Sequence, residues 1–274
     1  MADSGRKRLY RHLDNFQTDE AILLAESAAR KILPFIQRGI ANHTAHDVNH
    51  SEHVIEFLNR LVDIANMHEE LSQTEIRLLY LAAWLHDIGN LRKCGRRNHS
   101  RESCRMIEEL DERYLKLGSM REPLKFIIKY HQSHLNLSEV PRKESRISGD
   151  RIRLRLLCAI FRLADACHMG PDRASEVVYS LLKTDKEFAK GKKYWDGNRA
   201  IASVDFDLGQ SAIVIHVFSK RNSRFIVKDF KEEFDRVGKY LRDYIPIDRI
   251  RVIVIPECDI DDRQSALRHR RVVR

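Results

Sequence analysis

A histidine and an aspartate stand side by side at the end of an apolar run, in YLAAWLHDIGN at residues 80–90. A carboxylate placed in a core is costly unless it is paired or bound to a metal ion. Imidazole and carboxylate groups together form a ligand set for manganese, iron, cobalt, nickel or zinc. His86 and Asp87 therefore direct attention to other histidines and aspartates that could complete a metal site.

Five further residues of these ligating types lie at helix ends or on apolar helices. They are His46, His50, His99, His131 and Asp165. His50 lies one turn before Val54 on an apolar stripe, and Asp165 lies one turn after Phe161, so both should face inward. If these helices pack around the run that ends in the histidine–aspartate pair, the side chains could converge on one cation. The ion would then neutralise the buried carboxylates.

Ordinary structural roles compete with this interpretation. A lone histidine on a helix is far more often a core or surface residue than a ligand, and Asp165 could instead pair with Arg162 on the same helix. His53, His134 and His168 lie near candidate ligands. We interpret these three as residues that support a ligand or are satisfied structurally, with substrate contact as the minority interpretation. The ordered set on several apolar helices makes the metal site the better hypothesis.

The histidine–aspartate pair ends a helix that is apolar nearly all round, which predicts a central position in the fold. Ser72 and Glu75 form a capping box at its start, and Gly89 is expected to end it.

Apolar periodicity predicts further helices, over about residues 19–37, 50–68, 100–117, 152–169 and 173–190. Gly118 should close the third of these, and Ser119 with Glu122 suggests the cap of another helix that runs toward His131. The polar residues 136–151 are predicted to form a loop.

The pattern changes after about residue 195. A β-hairpin is predicted for AIASVDFDLGQSAIVIHVFSK, in which apolar and polar residues alternate around a glycine-containing turn. A helix is predicted for FIVKDFKEEFDRVGKYLRDY, and a strand that Pro256 stops is predicted for RIRVIVIP. The fold class is therefore mainly α, a helical bundle with a small C-terminal α+β lobe in the order β-β-α-β. We expect a helical domain at 1–190, the lobe at 191–260 and a basic tail at 261–274.

Composition limits the class of protein and its partners. The formal net charge of +9 favours anionic partners, although a solubilising charge excess explains it equally well. Five cysteines without CxxC spacing suggest reduced thiols in a cytoplasmic protein. No apolar run approaches the roughly 18–20 residues of a membrane span, and the N-terminus lacks the apolar core of a secretory signal. We therefore expect no membrane partner.

The chain resembles the HD superfamily of metal-dependent phosphohydrolases. The resemblance rests on three segments, NHSEHV, LAAWLHDIGN and IFRLADACH, and covers roughly residues 40–170. It implies an all-helical catalytic domain in which His50, His86, Asp87 and Asp165 bind a first divalent ion. The chain is also similar to HD proteins with a small C-terminal α+β lobe.

Some members of the superfamily bind a second ion through histidines that lie in sequence between the histidine–aspartate pair and the distal aspartate. In that subset, the aspartate at the position of Asp87 bridges the two ions. His99 and His131 match those positions. His46 is similar to the histidine that protonates the leaving oxygen in cyclic-nucleotide phosphodiesterases, although the tyrosine and asparagine that usually flank it are absent. The resemblance thus implies Asp87 and His46 as catalytic residues. It also implies one or two ions of manganese, iron, cobalt, nickel or zinc, with magnesium as a further option.

The expected reaction is hydrolysis of a phosphoester or phosphoanhydride, with a nucleotide as the favoured substrate. The chain lacks the GYP signature of cyclic-di-GMP hydrolases, the HDIGHxPFxH run of dNTP triphosphohydrolases and the acidic residues of ppGpp hydrolases, which leaves the subfamily open. One alternative is a nucleotide-binding or protein-interaction module without turnover, in which the C-terminal lobe docks a protein partner. Another is a nuclease, whose nucleic-acid binding would weaken steeply with salt. The complete ligand set favours the enzyme.

Several cationic side chains near the ligand positions could hold phosphate groups. They are Lys129, Arg97 and Arg101, with Lys93 and Arg96 beside them. For any one of them, a solvated basic loop is the favoured interpretation.

Overall fold

The computed structural model describes residues 2–36, 44, 46–64, 70–92, 97–142 and 144–256. The fold is mainly helical and carries a small C-terminal sheet. Its helices are α1 (Ala2–Leu9), α2 (Glu20–Ile32), α3 (Val48–Ile64), α4 (Gln73–Leu85), α5 (His99–Leu110), α6 (Arg121–Lys129), α7 (Leu154–Cys167), α8 (Glu176–Leu182), α9 (Lys186–Arg199) and α10 (Lys220–Leu241). Its strands are β1 (Ser145–Ile147), β2 (Asp150–Ile152), β3 (Ile201–Asp207), β4 (Ala212–Val217) and β5 (Arg249–Val254). The predicted class, a helical bundle with a small α+β lobe, is confirmed.

Helix α4 is the centre of the bundle, as its all-round apolar sequence predicts. Nearly all of its residues are buried, and it packs against α2, α3, α6 and α7. The capping box is present: the Glu75 amide donates to Ser72 Oγ at 3.2 Å, and the Ser72 amide donates to Glu75 Oε2 at 3.1 Å. Arg153, just before α7, also donates to Glu75 at 2.7 Å. The start of α4 therefore fixes the start of α7.

The prediction that Gly89 ends α4 is wrong, because the helix ends at Leu85 and its C-cap is His86. Gly89 lies in a 3-10 turn, Ile88–Leu91, that follows α4. A Cβ atom at Gly89 would lie 2.2 Å from the backbone oxygen of His99 and 2.3 Å from the amide nitrogen of Ser103. Only glycine allows this close approach between the turn and α5. The Gly89 amide also donates to Ser103 Oγ at 2.9 Å, and this contact places the first turn of α5 beside the end of α4.

Three element boundaries differ from the prediction. Helix α5 continues as a π-helical turn at Asp111–Leu115 and ends at Lys116, which adopts the left-handed conformation. Gly118 also has a positive φ, but it lies two residues after this end. Ser119 does not cap α6, whose N-cap is Met120 without a side-chain bond. The predicted helix at 173–190 is two helices, because a turn at 183–185 contains a threonine and an aspartate, which favour helix ends.

The polar segment before α7 is more ordered than the expected loop. It contains a 3-10 turn at Leu137–Glu139 and the short antiparallel pair of β1 and β2.

The C-terminal sheet has the strand order β3-β4-β5. Strands β3 and β4 form the predicted antiparallel hairpin, in which Phe206 pairs with Ile213. Strand β5 returns parallel to β4 after α10, with Ile215 opposite Val252. Helix α9 runs to Arg199, so the strands begin a few residues later than the change at 195 suggested. The proposed division at 190 and 260 stays a prediction, and residues 261–274 lie outside the described residues.

A buried ion pair joins α10 to the helical bundle. The Arg162 side chain on α7 is 1% exposed and donates to both carboxylate oxygens of Glu233 on α10, at 2.5 and 2.7 Å. It also donates to the backbone oxygens of Leu135 at 2.8 Å and Ser133 at 3.1 Å. The alternative in which Asp165 pairs with Arg162 is therefore not found. Arg162 instead holds α10 and the segment after α6 against α7.

The three described cysteines, Cys104, Cys158 and Cys167, are free thiols, and Cys94 and Cys258 lie outside the described residues. Among the described helices, none combines the length and the hydropathy that a bilayer-spanning segment requires.

We expect Glu233→Ala to lower the free energy of unfolding by about 3–5 kcal/mol, because it leaves the Arg162 guanidinium buried without a counter-charge. Urea denaturation followed by circular dichroism measures this change. The double variant Arg162→Met/Glu233→Leu removes both charges and should recover part of the loss. If the free energy of unfolding of Glu233→Ala lay within about 0.5 kcal/mol of the wild-type value, the ion pair would contribute little to stability.

Candidate metal centre

The bundle brings together the six residues that the sequence suggested as ligands. His50 lies on α3, His86 and Asp87 directly follow α4, and Asp165 lies on α7. His99 is the first residue of α5, and His131 follows α6 by two positions. Apart from Asp165 and His99, these residues are buried. The ligand atoms of His50, His86 and Asp165 form one group, and those of Asp87, His99 and His131 form another. Asp87 also lies 3.2 Å from His86 and 3.6 Å from His50, so it belongs to both clusters.

The first cluster contains two histidines and two aspartates. His50 Nε2 lies 3.1 Å from His86 Nε2 and 3.2 Å from Asp165 Oδ1. His86 Nε2 lies 3.2 Å from Asp87 Oδ2. These atoms come from α3, from the two residues directly after α4 and from α7, so the packing of α3 and α7 against α4 creates the cluster.

The second cluster lies on the other side of Asp87. His99 Nε2 lies 2.9 Å from His131 Nε2 and 3.4 Å from Asp87 Oδ1. The Asn90 side-chain amide donates to the same Asp87 oxygen at 3.1 Å. One oxygen of Asp87 therefore faces each cluster.

Hydrogen bonds to the backbone determine which nitrogen of two histidines faces the centre. His86 Nδ1 lies 3.1 Å from the Ala83 carbonyl oxygen, and His131 Nδ1 lies 2.5 Å from that of Ile128. A carbonyl oxygen only accepts, so each Nδ1 carries the proton and each Nε2 presents its lone pair in the neutral ring. This is the tautomer that a metal ligand at Nε2 requires.

The spacing of the nitrogens fits a shared cation. Two lone pairs that face each other at about 3 Å repel unless a proton or a metal ion lies between them. Two nitrogens each about 2.1 Å from one ion and about 90° apart would be about 3 Å from each other. The observed 3.1 Å for His50 and His86 and 2.9 Å for His99 and His131 match this value. The donor set of imidazoles and carboxylates is that of a divalent transition metal.

Charge inside the cluster shifts the pKa values in opposite directions. Burial alone would lower the pKa of His86, but the carboxylates of Asp87 and Asp165 more than offset it and raise that pKa to about 9. Burial opposes ionisation of Asp87 as well, yet His86 and His46 hold its pKa well below its ordinary value. Without a metal ion, a proton on His86 therefore neutralises part of the buried negative charge.

Two other ligand candidates stay neutral. Burial lowers the pKa of His131 to about 3. Burial and the nearby Arg173 guanidinium lower the pKa of His50 well below its usual range. Neutral imidazoles keep a lone pair for an ion, so these two histidines need not release a proton on metal binding.

His46 lies at the outer edge of the first cluster. Its Nδ1 is 2.7 Å from Asp87 Oδ2, and its side chain is 22% exposed. The Arg173 guanidinium, which the sequence interpretation missed, lies 3.4 Å from His46 Nδ1. Arg173 belongs to a 3-10 turn, Pro171–Arg173, that follows α7. The charged pair of Asp172 and Arg173 close behind Asp165 is the sequence signal that could have identified it.

The predicted phosphate-binding cations are exposed. Arg97, Arg101 and Lys129 have no contact with either cluster within the described part of the chain, and the Lys129 ammonium lies over the Tyr130 ring. Their role stays a prediction. Lys93 and Arg96 lie outside the described residues.

The three histidines that lie near candidate ligands in sequence, His53, His134 and His168, have different environments. His134 is exposed. His168 is buried, and its Nδ1 lies 2.6 Å from that of His50. His53 is parallel to His168, with ring centroids 4.5 Å apart.

A helical bundle that joins a histidine–aspartate pair to a distal histidine and aspartate defines an HD-type domain. The HD-CE family model matches residues 35–247, which is most of the chain. The protein belongs to the HD-CE family. A search of curated proteins finds no match. Family and clusters together fit a metal-dependent hydrolase of the HD type.

The raised pKa of His86 predicts how metal binding depends on pH. Below a pKa of about 9, an ion must displace the His86 proton, while the carboxylates are already ionised. The apparent affinity for Mn²⁺ should therefore rise by up to about tenfold per pH unit between about pH 6 and pH 8. Calorimetric titrations near pH 7 in buffers of different ionisation enthalpy should show about one proton released. An affinity that does not change with pH would contradict this protonation state.

Proposed function

We propose that this protein is a metal-dependent phosphohydrolase that cleaves a phosphoester or phosphoanhydride bond, with a nucleotide as the favoured substrate. The position of Asp87 between two histidine clusters carries the proposal. Divalent ions held there would supply an activated water and neutralise charge on the phosphoryl oxygens. The residues that would hold them are His50, His86, Asp87 and Asp165 for one ion, and Asp87, His99 and His131 for the other.

His46 is the residue that we assign to the leaving group. Its Nδ1 faces Asp87 Oδ2 at 2.7 Å, so that carboxylate can hold a proton on Nδ1 and orient the ring. The side chain is also partly exposed, unlike the buried ligands His50 and His86. A histidine held in this way can donate a proton to the departing oxygen as a general acid.

Arg173 supports the choice of a phosphate substrate. Its guanidinium lies beside His46, where a phosphoryl group next to Asp87 would also lie. A planar, permanently charged group in that position can bind phosphoryl oxygens and stabilise the charge that develops on them. Arg97, Arg101 and Lys129 remain secondary candidates, and the net charge of +9 favours the approach of an anion.

Nucleic acid is a less favoured substrate. A protein partner that docks on the C-terminal lobe is compatible with this function, because the Arg162–Glu233 pair links the lobe to the helix that carries Asp165. A binding module without turnover is the principal alternative.

The test compares substrates whose leaving groups differ in their need for a proton. Purified protein supplied with Mn²⁺, Co²⁺ or Ni²⁺ should hydrolyse nitrophenyl phosphate esters and at least one class of nucleotide. His46→Gln should lower kcat by about 10²–10⁴-fold on an alkyl phosphoester, and far less on a nitrophenyl ester, because nitrophenolate leaves without protonation.

His134→Gln is the matched control, since His134 is an exposed histidine outside both clusters. It should retain wild-type kcat on every substrate. Equal losses of kcat on both ester types in His46→Gln would contradict the assigned role. The absence of hydrolysis with every metal and substrate would favour the binding module, and salt-sensitive cleavage of nucleic acid would favour the nuclease.

A further inference from the structure

His168 is buried one turn after Asp165, and it contacts a candidate metal ligand from behind. Its Nδ1 lies 2.6 Å from His50 Nδ1, and its Nε2 lies 2.7 Å from Asp172 Oδ2. His50 in turn directs Nε2 toward His86 and Asp165. A continuous series of contacts therefore runs from the first cluster through two imidazole rings to a carboxylate.

The geometry of the two rings is that of a hydrogen bond. The planes of His50 and His168 differ by 16°, and their centroids are 4.9 Å apart, although the two Nδ1 atoms are only 2.6 Å apart. The rings thus meet edge to edge in nearly a common plane, as a linear N–H···N bond requires.

The position of each proton follows from His50. If His50 binds an ion through Nε2, its neutral ring carries the proton on Nδ1. His50 Nδ1 then donates to His168 Nδ1, which leaves the His168 proton on Nε2. His168 Nε2 in turn donates to the carboxylate of Asp172, which only accepts. Every polar atom along the series has a complementary partner.

We propose that His168 and Asp172 are positioning residues that fix the tautomer and orientation of His50 and thereby set the affinity of the first metal site. Partners of this kind orient a ligating histidine and increase its basicity, and their loss typically weakens metal binding by about 10–100-fold. The inference depends on His50 as a ligand. It does not depend on the substrate or on hydrolysis, so metal affinity tests it separately from activity.

A separate ion held by His53, His168 and Asp172 is the competing explanation, because their ligand atoms lie within 4.8 Å of one another. The ring geometry opposes it. The His53 and His168 rings are parallel within 4°, with centroids 4.5 Å apart. A metal ion lies close to the plane of each imidazole that binds it, and two stacked parallel rings share no such position. In the proposed arrangement, His168 Nε2 also carries a proton and offers no lone pair.

The pair His168→Leu and His168→Gln separates hydrogen bonding from packing. Leucine fills the space without polar atoms, whereas a glutamine amide can accept from His50 with its oxygen and donate to Asp172 with its nitrogen. Asp172→Ala removes the other end of the series, at a side chain that is 36% exposed. His53→Gln is the control, because His53 stacks on His168 and its Nε2 lies 3.6 Å from Asp172 Oδ2, which is beyond hydrogen-bond distance.

Competition between each variant and a chromophoric chelator for Co²⁺ measures affinity and stoichiometry, and circular dichroism checks folding. We expect His168→Leu and Asp172→Ala to weaken binding of the first ion by about 10–100-fold. His168→Gln should recover much of the loss, and His53→Gln should match the wild type.

Wild-type affinity in Asp172→Ala would overturn the proposal, even if His168→Leu failed to fold. If His53 helped to hold a separate metal ion, His53→Gln and Asp172→Ala would each bind one Co²⁺ ion fewer than the wild type. That result would overturn the proposal in favour of a separate metal site. Loss of hydrolytic activity with unchanged Co²⁺ affinity would also contradict a role exerted through His50.

Discussion

The carboxylate of Asp87 is the group on which the rest of the structure depends. It is buried at the end of the central helix, and histidines from α3 and α5 and the segment after α6 surround it. A charge in that position is stable only with compensating charge close by. A proton on His86 supplies that charge, or metal ions held by the two clusters would supply it. The bundle can thus bury Asp87 and the histidines around it where its helices meet.

The remaining parts of the fold keep those helices in register around Asp87. Gly89 and Ser103 bring α5 against the turn after α4. The Ser72–Glu75 box and Arg153 join the starts of α4 and α7. Arg162 ties α7 to α10 and to the segment that carries His131. All six candidate ligands lie in the helical bundle. The hydrogen bonds of Arg162 nevertheless link the C-terminal lobe to the helix that carries Asp165 and to the segment that carries His131.

Much of the site could be predicted because its signals are local in sequence. The histidine–aspartate pair, the apolar stripes that orient His50 and Asp165, and the Ser72–Glu75 box each need only a few neighbouring residues. The rest depends on long-range packing. Glu233 lies 71 positions after Arg162, and the tight approach of Gly89 involves a helix that local patterns cannot place. His168, Asp172 and Arg173 acquire their positions only when α7 docks on α3.

The metal content of protein purified without chelators and supplied with Mn²⁺, measured by elemental mass spectrometry beside Asp87→Ala, tests the bridging role of Asp87 most directly. A centre with two ions that share this carboxylate predicts about two ions per chain. The variant should lose both while its helical circular dichroism signal stays largely intact. An Asp87→Ala variant that keeps both ions, or a wild-type protein that binds none, would contradict the bridging site.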